Sequence, residues 1–304
     1  MPGRSNLSYC CPACGASGTG NAFVVTDREY GLHHRAQYVT CVSCCTSFQQ
    51  PMPHEGELSA FYPVDYHSMG RRGLLAQIRN DMRISRLEAH VQGEGAILDY
   101  GCGDGSFLER VAVRMPGRRL FGYEISDRSE IQNLANGAVT LVRGPVSRIL
   151  DVLPACRLIT MNHVIEHLPD PLGILRKLAE RLLPGGVLEG QTPAAGSLEH
   201  RVFGNRWSGY HAPRHTVVFS RQGLRGLLER AGFENVLIRG AFNPAALAVS
   251  LASLMQRADA PARIRRSGLS WLFWLGFASS LAPVDLLSGS PGVVNFRARR
   301  STAQ

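Results

Sequence analysis

The stretch Leu98–Leu108 reads LDYGCGDGSFL: an apolar, strand-like run, the acid Asp99, then Gly101, Gly103 and Gly105 at alternate positions before a helical pattern. A strand passing through a glycine turn into a helix aims backbone N–H groups and the positive end of the helix dipole at one point. That point suits an anionic group of a nucleotide-like ligand. The dinucleotide fingerprint, begun at Gly101, asks for a small residue, usually Gly, at position 106, where this chain has Ser106. A glycine loop alone is also compatible with a purely structural turn, so the flanking sequence has to decide.

Working outward, strand-like and helix-like segments alternate as in a parallel α/β sheet. Strands are expected at AILDY (96–100), RLFGYEI (119–125), VTLVR (139–143), RLITMN (157–162), GVLEGQT (186–192), ENVLIRG (234–240) and GVVNFRARR (292–300). Helices are expected at SFLERVAV (106–113), SDRSEIQNLAN (126–136), PLGILRKLAERLL (171–183) and RQGLRGLLERAG (221–232). A further helix is expected from Leu74 to about Val91, with Leu74, Leu75, Ile78, Met82, Leu87 and Val91 mostly at three- and four-residue steps. Gly93 and Gly95 then mark a boundary.

At the amino end, Cys11-Pro-Ala-Cys14 and Cys41-Val-Ser-Cys44 form two C-x-x-C pairs around the strand-like AFVVT and AQYVT. Four thiolates so spaced suit the corners of a closed tetrahedral zinc site. Cys10 and Cys45 duplicate the outer positions, but the turn CPACG places Pro and Gly where a knuckle bends, which favours Cys11 and Cys14. The organisation expected is a zinc-ribbon module (1–55), a linker and leading helix (56–94), a core (95–240), and an apolar helical insertion with the last strand (241–304).

With 304 residues, 44% of them hydrophobic, the chain supports one large core plus a small module, which excludes a wholly disordered protein. MPGRSNLSYCCPAC has no apolar signal region, so a reducing cytoplasm is expected and the eight cysteines are read as thiols or metal ligands. Residues 241–304 hold seven arginines against two aspartates, more than half of the net charge of +9, and Lys177 is the single lysine. This reads as composition, and a nucleic-acid partner is not expected.

Glu124 ends the strand after the loop, nineteen residues beyond Gly105, where a carboxylate can accept from both hydroxyls of a ribose. Downstream come NHVIEHLPDP (162–171) and LLPGGVLEGQTP (182–193). Together these segments resemble class I S-adenosylmethionine-dependent methyltransferases, whose members read LDxGCGxGxFL, VIEHLxDP and LxPGGxLxxxTP, over roughly residues 95–240 and in the same order. The resemblance implies a Rossmann-like α/β sheet and a bound S-adenosylmethionine. The methionine end of that donor would lie over Gly101, Cys102, Gly103 and Gly105, with its ammonium near Asp99. Glu124 would take the ribose and Ile125 would flank the adenine, with Asn162 and the region of Val146 nearby. Cys102 is read as a small filler. The family usually has an aromatic residue and Asp before the fourth strand; here Cys156 and Arg157 stand there.

Histidine is the natural proton acceptor at neutral pH, and His163, His167, His211 and His215 flank the fourth and fifth strands. YHAPRHTVVFS (210–220) resembles the EHxxxFS segment of sugar C-methyltransferases, with His215 on the histidine and Arg214 in place of the acid. The resemblance makes His215 the base or acceptor-orienting residue, with His163 and His211 beside it; His167 is read first as a structural cap. Ubiquinone O-methyltransferases carry a similar EHxPDP stretch with an earlier acid for a divalent metal, but His163 occupies that position, which argues against a catalytic magnesium site. The four-cysteine module ahead of FYPVDYHS is similar to the zinc-binding domain of sugar methyltransferases and would place Tyr62 and Tyr66 toward the acceptor, or between domains as packing.

The acceptor implied is a small molecule, a sugar or nucleotide-linked sugar, with a quinone- or polyprenyl-type lipid as the alternative. Zinc-bearing ribosomal RNA methyltransferases share the module order, but base-amino enzymes carry N/D-P-P-Y/F where this chain has NHVI. A zinc-ribbon interaction protein with an inactive fold is the remaining class. Near the carboxyl end, FNPAALAVSLASLM and the uncharged run SGLSWLFWLGFASSLAPV (267–284) fit a buried hairpin, a cover over the cleft, or an interfacial segment behind Arg263, Arg265 and Arg266. Asp285 and the Gly, Ser and Pro content favour the cover; peripheral membrane contact, as the alternative, would run through residues 261–288.

Overall fold

Three short strands open the chain, β1 (Phe23–Thr26), β2 (Arg35–Thr40) and β3 (Ser47–Gln49), paired antiparallel in that order. The computed structural model describes residues 10–30, 34–62, 74–91, 93–125, 130–255 and 268–302. Tyr66, Arg263, Arg265 and Arg266 lie outside the described residues. After α1 (Glu55–Leu58) and α2 (Leu74–Glu88) the alternation begins: β4 (Ala96–Tyr100), α3 (Ser106–Arg114), β5 (Leu120–Glu124), β6 (Glu130–Leu134), β7 (Val139–Arg143), α4 (Val146–Val152), β8 (Cys156–Asn162), α5 (Pro171–Arg181) and β9 (Leu182–Pro193). It ends with α6 (Leu198–Phe203), β10 (Val217–Val218), α7 (Arg221–Arg230), β11 (Phe233–Gly240), α8 (Pro244–Leu254), α9 (Gly268–Leu287) and β12 (Val293–Arg300).

The main sheet runs β11-β12-β9-β8-β4-β5-β7-β6. β9, β8, β4, β5 and β7 are parallel, whereas β12 is antiparallel to both neighbours and β6 is antiparallel to β7. Parallel strands carry helices on both faces, so β4 is buried at all five positions. Its period of two sends Ile97 to one core with Ile84, Leu87, Leu108 and Val111, and Leu98 to the other with Ile159, Leu175 and Leu178. The chain builds outward from β4 through β5 and β7, then returns to add β8 on the other side. The carboxyl ends of β4 and β8 therefore flank a topological switch point, the place where ligands bind in such sheets.

Local signals fix the helix starts. Asp170 caps α5 by accepting from Gly173 N, with Pro171 in the first turn, and Ser220 caps α7 by accepting from Gly223 N. One expected helix is corrected. Residues 130–134 of SDRSEIQNLAN form the strand β6, not a helix, and turn back onto β7 through Asn136 (φ 54°) and Gly137 (φ 88°). Asn-Gly is a strong short-range hairpin signal, but β6 is an edge strand with four exposed residues, so it shows no apolar alternation.

The cysteine module shares its framework with the core. β3 pairs with β10, Phe48 opposite Val217 and Ser47 opposite Val218, completing the sheet β1-β2-β3-β10. Cys11, Cys41, Cys44 and Phe48 lie in one apolar cluster with Phe219, Leu224 and Leu227 around α7. The carboxyl-terminal hairpin packs α9 on α8 through Ala278, Ala282, Trp271 and Trp274, while Leu272, Phe273 and Val284 stay more than 60% exposed. α9 is the one helix among the described residues long and apolar enough, by length and composition, to cross a membrane, and only 11% of its apolar window is buried.

Candidate active site

The loop after β4 turns sharply because Gly101 has φ 83°, and a Cβ there would lie 2.2 Å from Val164 Cγ2. Gly101 N and Cys102 N donate to Tyr123 O, tying the loop to β5. Gly103 N donates to Glu124 Oε2 at 2.7 Å, and Arg143 donates to Gly103 O at 3.1 Å. Burial pushes the Glu124 carboxyl up, against the pull of the Gly103 hydrogen bond and the Arg143 charge. Gly105, buried and left-handed, stands at the start of α3. Cys102 is buried against Gly122, and burial pushes its thiol up, as befits a filler. Asp99 Oδ1 accepts from Arg83 of α2 at 3.0 Å and from Thr160 of β8. Asn162 and the exposed Ile125 line the same cleft.

The cleft measures about 2250 Å³ and reaches from Asp99, Gly101, Cys102, Gly103 and Glu124 to His163, His167, His211 and His215. Single-ligand pockets hold roughly 300–1,000 Å³, so the cleft has room for two small molecules side by side. Leu275 and Leu286 of α9 and Phe242, Ala246 and Val249 around α8 form an apolar wall of the same cleft. The hairpin therefore borders the cleft with one side and leaves its other side exposed.

Glu166, in the short turn Ile165–His167 after β8, organises the histidines. It is wholly buried; Oε2 accepts from Thr192 Oγ1 at 2.9 Å, and Oε1 lies 3.2 Å from His163 Nδ1 and 3.9 Å from His215 Nε2. Burial opposes its charge, but the His163 hydrogen bond, the largest of the opposing causes, holds the carboxyl below its usual range. His215 Nδ1 donates to Gly209 O at 2.7 Å, and burial holds this ring well below its usual range, neutral at pH 7. His167 Nδ1 lies 3.0 Å from Tyr62 Oη and 2.9 Å from Arg214 O, and its ring meets His215 edge-on at 4.6 Å. His211 Nδ1 lies 2.7 Å from Glu29 Oε2. Glu166, His167 and His215 bring their donor atoms within 4.8 Å of one another, a set able to hold a cation.

Sequence reasoning missed Glu166 and Glu29. Glu166 had a signal, an acid between His163 and His167 at the end of the switch-point strand. Glu29 had none, because it is 182 positions from His211 and meets it only through the tertiary fold. Arg214, expected on the acid of the related segment, is fully buried, pairs with Asp27 and stacks over Tyr30 at 4.7 Å, so its part is architectural.

In the amino-terminal module the Sγ atoms of Cys11, Cys14, Cys41 and Cys44 lie within 4.8 Å of one another, with 3.6 Å for both Cys11–Cys44 and Cys14–Cys41. Four thiolates at ~2.3 Å around a tetrahedral zinc stand ~3.8 Å apart, so this donor set fits zinc without rearrangement. Cys10 and Cys45 are exposed and outside the cluster. The hydrogen bond between Cys11 and Cys44 lowers the Cys44 thiol and raises that of Cys11.

Comparison with known proteins places these features. The family described as "Methyltransferase domain" matches residues 74–238. The ubiquinone biosynthesis O-methyltransferase of Idiomarina loihiensis is 29% identical over 117 residues, 36% of this chain and 47% of that protein. The trans-aconitate 2-methyltransferase of Deinococcus radiodurans is 31% identical over 102 residues, 32% of this chain and 38% of that protein. The chain thus spans about half or less of the length of these two relatives. Among solved structures, Haemonchus contortus phosphoethanolamine N-methyltransferase 2 in complex with S-adenosyl-L-methionine is similar with TM-score 0.50 at 13% identity, over 84% of this chain and 62% of that one.

Proposed function

We propose, from the premise that this chain belongs to the methyltransferase-domain family, that it methylates a hydroxyl or similarly acidic group on a small molecule with an apolar portion. Transfer depends on S-adenosylmethionine, as in that family. When bound, the donor supplies an electrophilic methyl on its sulfonium. The residues present suit it: Gly101, with no room for a side chain, lets backbone approach, and Glu124, beside Gly103 N, is placed for a ribose. An acidic strand end and loop N–H groups complement a ligand carrying both cation and carboxylate. The chain's remaining work is to orient the acceptor, exclude water and take a proton.

The observation that carries the acceptor class is the shape of one cleft, with neutral histidine at one part and the apolar wall of α8 and α9 at another. An amine acceptor brings its own lone pair, whereas a hydroxyl needs the proton acceptor that these histidines offer. The wall favours a quinone- or polyprenyl-type molecule over the nucleotide-linked sugar that the sequence resemblance suggested. The exposed side of α9 supports peripheral contact with a lipid surface, where such an acceptor resides. Zinc held by Cys11, Cys14, Cys41 and Cys44 would have a structural part, since no open position is needed when four thiolates close the site.

The test is donor-dependent methylation of polyprenyl phenols, lipid-linked sugars, nucleotide sugars and RNA, read by mass spectrometry as the gain of one CH2. Methylation of polyprenyl phenols is expected. Modification confined to nucleotide sugars or RNA would overturn the apolar-acceptor reading.

A further inference from the structure

We propose that Glu199 and Asp285 form a proton-sharing latch that holds the end of α9 against the core, so that the apolar wall of the cleft closes and opens with pH. The pair lies outside the cleft, and its consequence for an acceptor rests on the reading above. Glu199 of α6 is buried, and its Oε2 accepts from Trp207 Nε1 at 3.3 Å and from Ser250 Oγ of α8 at 3.5 Å. Asp285 stands in the last turn of α9, where its Oδ2 accepts from Gly292 N at 3.0 Å. The two carboxyls converge on Gly292, since a Cβ there would lie 2.5 Å from Glu199 Oε1. Asp285 Oδ1 is sheltered from solvent and has no N–H or hydroxyl donor among the described residues. Carboxylates only accept, so two ionised groups here would leave that oxygen orphaned and add like-charge repulsion. One hydrogen, carried on Glu199 and donated to Asp285, removes both faults. The last turn of α9 has no basic residue, and the negative end of its dipole disfavours added negative charge.

The other titratable groups around the pair supply no compensating charge. Burial lowers His200, whose Nδ1 accepts from Gly196 N and whose ring stacks on Trp207 at 4.9 Å, so it is neutral at pH 7. Tyr210 Oη bonds His200 Nε2, and burial raises that phenol. Arg206 donates to Ser253 O, Arg201 is exposed, and Arg297 of β12 pairs with Glu189. α8 has no titratable side chain, and Asp285 is the single one on α9. The latch also sits where the hairpin joins the core. Trp207 shares a cluster with Ala278 and Ala282, while Leu286, next to Asp285, lines the cleft against Gly240. When the proton leaves, the two charges separate and Leu286 moves with Asp285. Because the closed form keeps a proton that the open form releases, rising pH favours opening from the ordinary carboxyl value of 4.5 up to about 8, and no further beyond it.

The experiment is hydrogen exchange of the full chain by mass spectrometry from about pH 5 to about pH 9, with rates corrected for the intrinsic effect of pH. In wild type, peptides covering 284–292 are expected to be less protected than β4 and to lose up to about tenfold of their protection per pH unit, levelling above about pH 8. Glu199→Gln, whose amide donates to Asp285 at every pH, is expected to hold that protection flat; Asp285→Asn, donating the other way, serves equally if the first variant does not fold. Wild-type protection at 284–292 that is independent of pH, or equal to that of β4 and so governed by global unfolding, overturns the latch. An undiminished slope in a folded variant overturns it as well. Failure of wild type to bind S-adenosylmethionine by calorimetry would strike the methyltransferase reading instead and leave the slope as it is.

Discussion

Arg214 and Asp27, 187 positions apart, form an ion pair of 2.9 Å in which neither side chain is exposed. The pair joins the turn after β1 to the segment leading into β10. Arg214 also donates to Phe61 O at 3.0 Å. Removing one partner of a buried pair leaves the other charged and desolvated, so Arg214→Met or Asp27→Asn alone is expected to cost about 3–5 kcal/mol. The double variant is expected to lose less than either single change, because no orphan charge remains. Chemical unfolding of all four proteins reads the difference; additive losses would count against this account.

Glu124 offers a carboxylate beside the loop N–H groups. Glu124→Ala is expected to weaken S-adenosylmethionine binding by roughly 10- to 1000-fold, or a few kcal/mol. Calorimetry with the donor alone decides it, and unchanged affinity would remove Glu124 from the site.

The cysteine cluster predicts close to one zinc per chain, on the order expected of a four-thiolate site. Cys11→Ser or Cys44→Ser is expected to lose the metal, while Cys10→Ser and Cys45→Ser keep it. Elemental analysis of protein purified without chelator is the measurement. Because the cluster packs on α7, loss of metal is also expected to lower the unfolding temperature.

Glu199 gives a pH signature. Burial first, and the nearby Asp285 carboxylate second, raise it from 4.5 to about 8, against hydrogen bonds from Trp207 and Ser250. The folded chain therefore holds a proton that the unfolded chain releases. The stabilisation is fully present below the unfolded value of 4.5 and is lost as pH rises through about 8. Glu199→Gln is expected to flatten this decline, gaining on wild type from about pH 5 to about pH 8. His215, held well below 6.5, acts oppositely: its contribution is lost as pH falls below that unfolded value. Unfolding midpoints across this range test both slopes.

The exposed side of α9 carries Phe273 at 65% and Leu287 at 85% exposure. Full-length protein is expected to float with anionic liposomes, and Phe273→Glu with Leu287→Glu to remain in solution, since a charge on an apolar face costs its insertion. Equal flotation of both would place lipid contact elsewhere or nowhere.

Local chemistry made much of this protein legible in its sequence. β4, the glycine loop, β8 and the cap of α5 depend on short-range patterns, namely apolar runs, positive-φ glycines and an Asp-Pro start, that act within a few residues. The two C-x-x-C knuckles are equally local, and the cluster uses Cys11 and Cys14, which the Pro and Gly of the first turn favoured, together with Cys41 and Cys44. β6 was misread because an exposed edge strand is held by its neighbour's backbone, which leaves no apolar period. Only the tertiary structure brought Glu29 to His211, Asp27 to Arg214 and β3 to β10, because each contact closes a loop of well over a hundred residues between groups with no mutual spacing in the chain. Likewise α9 reads as uniformly apolar along the chain, and which side borders the cleft was decided by how Ala278 and Ala282 let it pack on α8. Sequence periodicity chooses the elements; burial of charge and close packing between distant segments choose which side chains face one another in the site.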